Sequence, residues 1–443
     1  MNFFRSTFAQ NLFFIGIFSL AAVFIAGQFV PLFLQIAEWL SVFFGAAVLI
    51  DLLMLYARPE PILAERISPV KLSNGDTNTL HINLQSQFPF NVTVEILDEL
   101  PEQLQIRNFR MLTNLAALSS RTLEYSIRPC ERGEYHFGNI NIFCSGPIGI
   151  FQRRIKVPAK QMIPSYPSFI QMHKYELIAA SNRLTDAGIK KIRKVGHQLE
   201  FDQIREYVRG DDYRTINWNA TARKSDLMVN QYQDEKSQQV YCVLDAGRAM
   251  KMPFDDLTLL DYSVNASLVL SNIALMKYDK AGLLTYSNKI RSFMQADRKP
   301  GQIIRVMEHL YNLETGFEEP DMGLLYAHIH RRISQRSLII LFTNFESLAA
   351  ADRQLAFLKK IARRHLLAVV IFENTEVKSL TSTDVVDTEG IYIKAIAEKF
   401  IFEKRRIAVE LRNYGIHSTI TEPAGLTVAA LNKYLEFKAL GMI

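Results

Sequence analysis

The sequence has few cysteines and lacks the short motifs that mark the commonest nucleotide-binding and hydrolytic enzymes. Its 443 residues hold three cysteines, Cys130, Cys144 and Cys242, in neither a C-x-x-C pair nor a zinc-binding spacing. The motifs G-x-x-x-x-G-K-[ST], G-x-G-x-x-G, G-x-S-x-G and H-E-x-x-H are absent as well. The sequence therefore predicts no P-loop, and its motifs assign no cofactor, metal ion or catalytic group.

A strong charge of one sign is also missing. The formal net charge is +6 and the basic residues are scattered, with the densest clusters at Lys190–Lys194 and Arg331–Arg336. Nucleic-acid binding favours a basic stripe with interleaved aromatic residues, so we expect no nucleic-acid partner. Solvated helix faces near an anionic membrane account for these clusters.

Two long apolar runs lie near the N-terminus. Asn11–Val30 carries no charged residue, and Ile36–Ala57 carries two. Each has about the 20 residues that a helix needs to cross a bilayer. The short loop between them lacks Lys and Arg, whereas Arg5 and Arg58 flank the pair. The positive-inside rule then predicts a two-helix transmembrane hairpin over residues 1–58, with the soluble domains in the cytoplasm.

A small β domain is predicted to follow over residues 59–160. Segments such as "NTLHINLQS", "NVTVEILDEL" and "RTLEYSIRP" alternate apolar and polar residues, and turn formers separate several of them. Short strands at this spacing favour an antiparallel β-sandwich. The prolines of "PAKQMIPSYPSF" (Pro158–Phe169) indicate an extended segment outside regular sheet, so we expect residues 161–195 to be a linker.

Residues 240–443 alternate strands and helices, which is typical of a doubly wound parallel sheet in an α/β domain. "QVYCVLD" and "SLIILFTN" are predicted strands, and Asp245 and Asn344 lie at their carboxyl ends. In such sheets ligands bind beyond the carboxyl ends of the strands. Asp245 and Asn344 are therefore candidate site residues.

At this point the sequence resembles the von Willebrand factor A fold, whose family pattern is D-x-S-x-S after the first strand, then a Thr and a later Asp. Those groups supply hard oxygen ligands for magnesium. Here Asp245 matches the first Asp, whereas Gly247 and Ala249 stand at the serines. Pro320 stands at the threonine and Asn344 at the last Asp. The resemblance thus implies a degenerate ion site without bound metal.

The segment Gly196–Gln239 is dense in Arg, Asp and aromatic residues. Its stretch "REYVRGDDYRTINWNATARKSDLMVNQYQDE" closely resembles the signature of the bacterial domain-of-unknown-function family fifty-eight. The residues that fall on the signature are Arg205, Tyr207, Gly210, Asp211, Arg214, Trp218, Ala222 and Arg223. Asp211 or Asp212 is expected to cap a following helix. One interpretation is an interface rich in Arg and Trp; the other is a folding cap with internal ion pairs and Trp218 in the core.

The resemblance implies a membrane-anchored protein that works with an AAA+ ATPase of the MoxR type in chaperone-like assembly or maturation of other proteins. It implies no enzymatic activity. The sequence therefore favours a non-enzymatic interaction scaffold. Two alternatives are a metal-dependent ligand-binding protein and a hydrolytic enzyme with a site near Asp245 and Asn344.

Overall fold

The computed structural model describes residues 6–180, 199–224, 226–234, 237–345, 347–382 and 387–442. The cluster Lys190–Lys194 and the start of the signature segment, residues 196–198, lie outside the described residues. The chain divides into two compact units, Met1–Tyr166 and Pro167–Ile443. Each unit is described by itself below.

Unit 1 begins with two apolar helices, α1 (Asn11–Gly27) and α2 (Pro31–Tyr56). Its strands are β1 (Thr7–Ala9), β2 (Ile62–Ile67), β3 (Leu72–Ser73), β4 (Asn78–Ser86), β5 (Val92–Asp98), β6 (Met111–Leu115), β7 (Ser120–Ile127), β8 (Gly133–Phe137), β9 (Ile140–Ser145), β10 (Phe151–Val157) and β11 (Gln161–Tyr166). Pro31 is the first residue of α2, where its fixed φ and missing N–H are tolerated. The helices therefore cover most of the two apolar runs.

The strands of unit 1 form mostly antiparallel sheets. The order is β1-β10-β9-β5-β6 in one sheet, β2-β4-β7 in a second and β3-β11-β8 in a third. One apolar core receives alternate residues of several strands, such as Leu80 and Ile82 of β4, Val94 of β5 and Ile142 of β9. This period-two burial confirms the predicted antiparallel domain.

The prediction that Pro158–Phe169 stays outside regular sheet is wrong, because β11 pairs along Gln161–Ser165 with β8. On its other side β11 pairs with β3 only at Ser165 and Tyr166. Pro164 therefore lies at a sheet edge, where a residue without an N–H costs no ladder hydrogen bond. The middle of the predicted linker region is also regular structure, since a helix spans Phe169–Ala180, and residues 181–195 lie outside the described residues.

Unit 2 contains the remaining strands and helices. Its strands are β12 (Leu199–Glu206), β13 (Met228–Asp234), β14 (Gln239–Asp245), β15 (Pro253–Phe254), β16 (Leu257–Thr258), β17 (Lys280–Tyr286), β18 (Ile290–Asp297), β19 (Leu338–Thr343), β20 (Leu366–Phe372) and β21 (His417–Thr421). Its helices are α3 (Phe169–Ala180), α4 (Trp218–Lys224), α5 (Leu259–Met276), α6 (Gln302–Tyr311), α7 (Met322–Arg332), α8 (Leu348–Ala362), α9 (Thr375–Ser382), α10 (Thr388–Asn413) and α11 (Leu426–Ala439).

The main sheet of unit 2 has the order β18-β17-β14-β19-β20-β21. All neighbours pair parallel except the edge strand β18, which is antiparallel to β17. Side chains of β14 alternate between faces: Tyr241 and Val243 join a core with α7, α8 and α10. Cys242 lies 3.8 Å from Ser271 of α5. Helices therefore cover both faces, as the α/β prediction requires.

Candidate functional site

Asp245 ends β14 at the carboxyl edge of the parallel sheet and is completely buried. Its Oδ1 accepts a hydrogen bond from the Gly247 N–H at 2.8 Å, and its Oδ2 accepts one from the Thr343 hydroxyl at 2.7 Å. Burial raises the pKa of Asp245 to about 6, and these two hydrogen bonds hold the increase down. Both oxygens are therefore engaged by the protein itself.

The donor set at this edge does not fit a metal ion. Gly247 and Ala249 carry no side-chain oxygen. A Cβ atom on Gly247 would lie 2.7 Å from the Pro320 Cδ and 3.0 Å from the Asp245 Oδ1, so a serine would not fit there. The same contact places Pro320 beside the loop. No group of three or more His, Cys, Asp or Glu side chains suited to a metal ion occurs in the described part of the chain.

Asn344, which follows β19, is held by a lysine of α10 rather than by a metal ion. The Lys404 Nζ donates to the Asn344 Oδ1 at 2.9 Å and to the Phe372 carbonyl oxygen at 2.6 Å. Burial lowers the pKa of Lys404 to about 8, and the nearby charge of Glu373 opposes that change. Lys404 was missed by the sequence analysis because the chain separates it from Asn344 by 60 residues.

A cleft of about 720 Å³ opens at the same edge. Its walls combine the cations Arg248, Lys404 and Arg405 with the acid Glu373 and apolar side chains. The apolar walls include Met252, Phe345, Val377, Phe400 and Ile420. This volume and mixed lining are typical of a binding pocket. The sequence analysis had predicted a site at this edge, although not its basic character.

The signature segment forms an antiparallel strand pair, β12 with β13, and the turns that join it to α4. The Arg205 guanidinium makes a bidentate ion pair with the Asp211 carboxylate, with N–O distances of 2.7 and 2.8 Å. Asp211 also accepts from the Val208 N–H at 2.9 Å, and the Arg205 hydrogen bonds lower its pKa. Gly210 has a φ of 120°, which disfavours a side chain there. The ion pair therefore fixes the turn, as the folding-cap interpretation expects for Arg205.

Trp218 begins α4 and is 69% exposed, so the interpretation that placed it in the core is wrong. The helix is capped by Asn217, whose Oδ1 accepts from the Ala220 N–H at 3.0 Å. Asp212 caps the short 3₁₀ turn before it instead, by accepting from the Arg214 N–H. The indole therefore sits on a locally ordered element and faces solvent.

The other predicted signature residues also lie on this surface. The Arg214 guanidinium lies over the exposed ring of Tyr213, 5.6 Å from its centroid. Arg223 is exposed near the end of α4, and Tyr207 is half-buried with its N–H bonded to the Leu227 carbonyl oxygen. We call Tyr213, Arg214, Trp218 and Arg223 the signature surface.

The fold and these side chains define unit 2 as an α/β domain with a buried carboxyl group, Asp245, and a cleft lined by Lys404 at the carboxyl edge of its sheet. Residues 203–392 match the model of a family described as "Protein of unknown function DUF58". The chain is 23% identical over 200 residues to "Uncharacterized protein YeaD" of Bacillus subtilis (strain 168), covering 44% of this chain and 50% of that protein. The chain thus spans about half the length of this curated relative.

Two solved structures show weaker likeness. The conserved hypothetical protein BatB from Bacteroides thetaiotaomicron is 12% identical with a TM-score of 0.26, covering 46% of this chain and 100% of that one. A PapD-like domain of human CEP192 is 11% identical with a TM-score of 0.19. The match covers 25% of this chain and 90% of that domain. TM-scores this low carry no argument about the fold. The resemblance drawn from the signature is confirmed as a match over residues 203–392.

Proposed function

We propose that this protein is a non-enzymatic, membrane-anchored interaction scaffold that docks a protein partner through the signature surface. The observation that carries the proposal is the exposure of Trp218 at the start of an ordered helix, together with the exposure of Tyr213 in the turn before it. Tryptophan, tyrosine and arginine are common in the energetic centres of interfaces, and exposing an indole to water is costly without a partner. Arg214 and Arg223 supply charge on the same surface.

The partner that we propose is a cytoplasmic AAA+ ATPase of the MoxR type, as the family resemblance implies, in chaperone-like assembly or maturation of other proteins. The von Willebrand factor A-like assignment of unit 2 belongs to the same proposal. Its support is the parallel sheet with Asp245 at the end of the central strand β14. Since the donor set does not fit a metal ion, this docking needs none.

The membrane anchor that we propose is a transmembrane hairpin of α1 and α2. α2 has 26 residues and is apolar and long enough to cross a bilayer, while α1 is apolar with 17 residues. Their outward side chains, such as Phe18 and Phe43, are exposed and apolar, which favours lipid around them. The positive-inside rule places unit 2 in the cytoplasm of a bacterium. Among the described residues one other helix, α5, is apolar and long enough to cross a bilayer, and it is mostly buried in unit 2.

The test is binding of a purified MoxR-type ATPase to the full-length chain in nanodiscs, compared between Trp218→Ala and a matched control. The control is Tyr278→Ala, which removes another exposed aromatic ring of unit 2, 67% exposed. We expect Trp218→Ala to weaken binding at least about tenfold, because hot-spot residues contribute that much or more. Tyr278→Ala should bind as the unaltered chain does. Equal binding by both variants, or no binding by the unaltered chain, contradicts the proposal.

A further inference from the structure

The cleft at the carboxyl sheet edge carries an excess of positive charge. Lys404 and Arg405 line it, against the single acid Glu373. Arg248 lines it too, but its guanidinium is paired with the Glu319 carboxylate at 3.2 Å. Glu373 is itself paired with the Lys378 ammonium at 3.2 Å. The wall charges therefore favour a ligand that carries a negative charge.

Lys404 has a donor to spare for such a ligand. An ammonium group carries three N–H donors, and two of those of Lys404 bond the Asn344 side chain and the Phe372 carbonyl oxygen. Neither of these acceptors bears a formal charge. Burial lowers the pKa of Lys404 to about 8, and a second negative charge beside it would oppose this change as Glu373 does. A carboxylate at this place would supply that charge.

Apolar side chains continue from the cleft along one face of α10. Phe400 lines the cleft, and Ile396 and Ile393 stand one and two turns before it on the same helix face. All three are between 44% and 47% exposed. A single small molecule in the cleft would leave Ile396 and Ile393 exposed to water. An extended or helical segment of a protein would cover both the cleft and these two side chains.

We propose that the cleft binds a segment of a second protein in which an acidic side chain stands beside apolar ones, with Lys404 and Arg405 bonding the carboxylate. The apolar side chains of that segment pack on Phe400, Ile396 and Ile393. This binding goes beyond the docking proposed for the signature surface and uses different residues, so either proposal stands if the other fails.

The experiment selects a phage library of random dodecapeptides on the full-length chain in detergent micelles. The selected peptides are then synthesised and titrated against variants. Phe400→Asp carries the test, because it removes an apolar wall, places a like charge near the bound carboxylate and changes a side chain already half exposed. Phe402→Asp is the matched control, since Phe402 lies on the same helix, is 65% exposed and does not line the cleft.

We expect selected peptides to share an acidic residue flanked by apolar ones. Their affinity should fall about tenfold or more for Phe400→Asp and stay unchanged for Phe402→Asp. Replacing the peptide's acidic residue by its amide should weaken binding similarly, since charge-assisted hydrogen bonds are lost. Lys404→Met should show the same loss of affinity in a chain shown to be folded, with a lower melting temperature, because the Asn344 side chain and the Phe372 carbonyl oxygen lose their donor.

Three outcomes overturn the proposal. One is a selection that enriches no peptide whose binding depends on Phe400. Another is a consensus without an acidic residue, or equal loss in Phe400→Asp and Phe402→Asp. The third concerns dodecanoate, a small apolar acid, in a case where no peptide is selected. If dodecanoate raises the melting temperature of the unaltered chain but not that of Phe400→Asp, the cleft binds a small apolar acid and not a protein segment.

Discussion

The ammonium nitrogen of Lys404 lies 2.9 Å from the side-chain oxygen of Asn344. A cation of the chain itself therefore engages the polar side chain that follows β19. On the neighbouring strand, Asp245 is engaged by the Gly247 N–H and the Thr343 hydroxyl. Hydrogen bonds within unit 2 thus engage the side-chain oxygens of both residues.

Asp245→Asn should remove a pH dependence of stability. The folded-state pKa of Asp245 is raised to about 6, above an ordinary value of about 3.9. The folded protein therefore binds an extra proton between these values, so its stability falls as pH rises from about 4 to about 6, by on the order of 3 kcal/mol. The amide keeps an oxygen for Gly247, and the Thr343 hydroxyl can accept from its nitrogen.

The measurement is the melting temperature of the full-length chain in detergent between pH 4 and pH 8. In Asp245→Asn the melting temperature should decline less with rising pH across the acidic part of this range. At neutral pH this variant should melt at a higher temperature than the unaltered chain. Asp352→Asn, at an exposed position of α8, serves as control and should keep the decline. If the melting temperature of Asp245→Asn declines as steeply with rising pH as that of the unaltered chain, ionising Asp245 in the folded protein costs little free energy.

Arg214→Ala and Arg205→Ala should separate binding from folding in the signature segment. Arg214 lies over an exposed ring, so its loss should weaken ATPase binding several-fold and leave the melting temperature unchanged. Arg205 is paired with Asp211 within the turn, so its loss should loosen that turn and weaken binding indirectly. The check is titration of both variants with the ATPase, together with amide exchange over residues 205–214. If both variants unfold, the interface assignment is wrong.

Arg153→Ala should loosen the junction between α2 and the antiparallel domain. The Arg153 guanidinium donates to the carbonyl oxygens of Leu55, Arg58 and Pro59 at 2.7 to 2.8 Å. It also lies over the Tyr56 ring, 4.5 Å from the centroid. Removing it leaves three acceptors unpaired at once, and hydrogen bonds from a charged group are among the stronger ones.

Amide hydrogen exchange of the segment after α2 checks this prediction in the full-length chain. We expect exchange at least about tenfold faster in Arg153→Ala, the factor that corresponds to ~1.4 kcal/mol. Arg154→Ala is the matched control, because its guanidinium bonds the Asn141 side chain within the sheet. Equal exchange in the two variants would mean that the junction is held by other contacts, such as those of Asp51 with the Ile150 and Phe151 N–H groups.

Periodicity predicted much of the fold. The segment "NTLHINLQS" coincides with β4, and the buried strands β14, β19 and β20 follow the predicted alternation with helices. β18 and β21 were not predicted, because both are edge strands of the main sheet and carry few continuous apolar residues. Short polar edge strands give little signal, since only one side of each is paired.

The candidate site was predictable in part. Asp245 and Asn344 follow apolar strands, and parallel strands bring their carboxyl ends to one edge. Lys404 gives no such signal, because a lysine in a long helix most often faces water. Its contact with Asn344 depends on how α10 packs on the sheet. The sequence left Trp218 open between an interface and the core, because a large aromatic residue is usually buried and its exposure is a tertiary property.

The most direct test of the account is calorimetric titration of the full-length chain with magnesium and manganese, since the central claim is docking without a metal ion. We predict no saturable binding heat from a chain shown to be folded by its melting transition. Saturable one-site binding that is lost in Asp245→Ala would contradict the account. Asp245 would then be an ion ligand and not a carboxyl group held only by hydrogen bonds from Gly247 and Thr343.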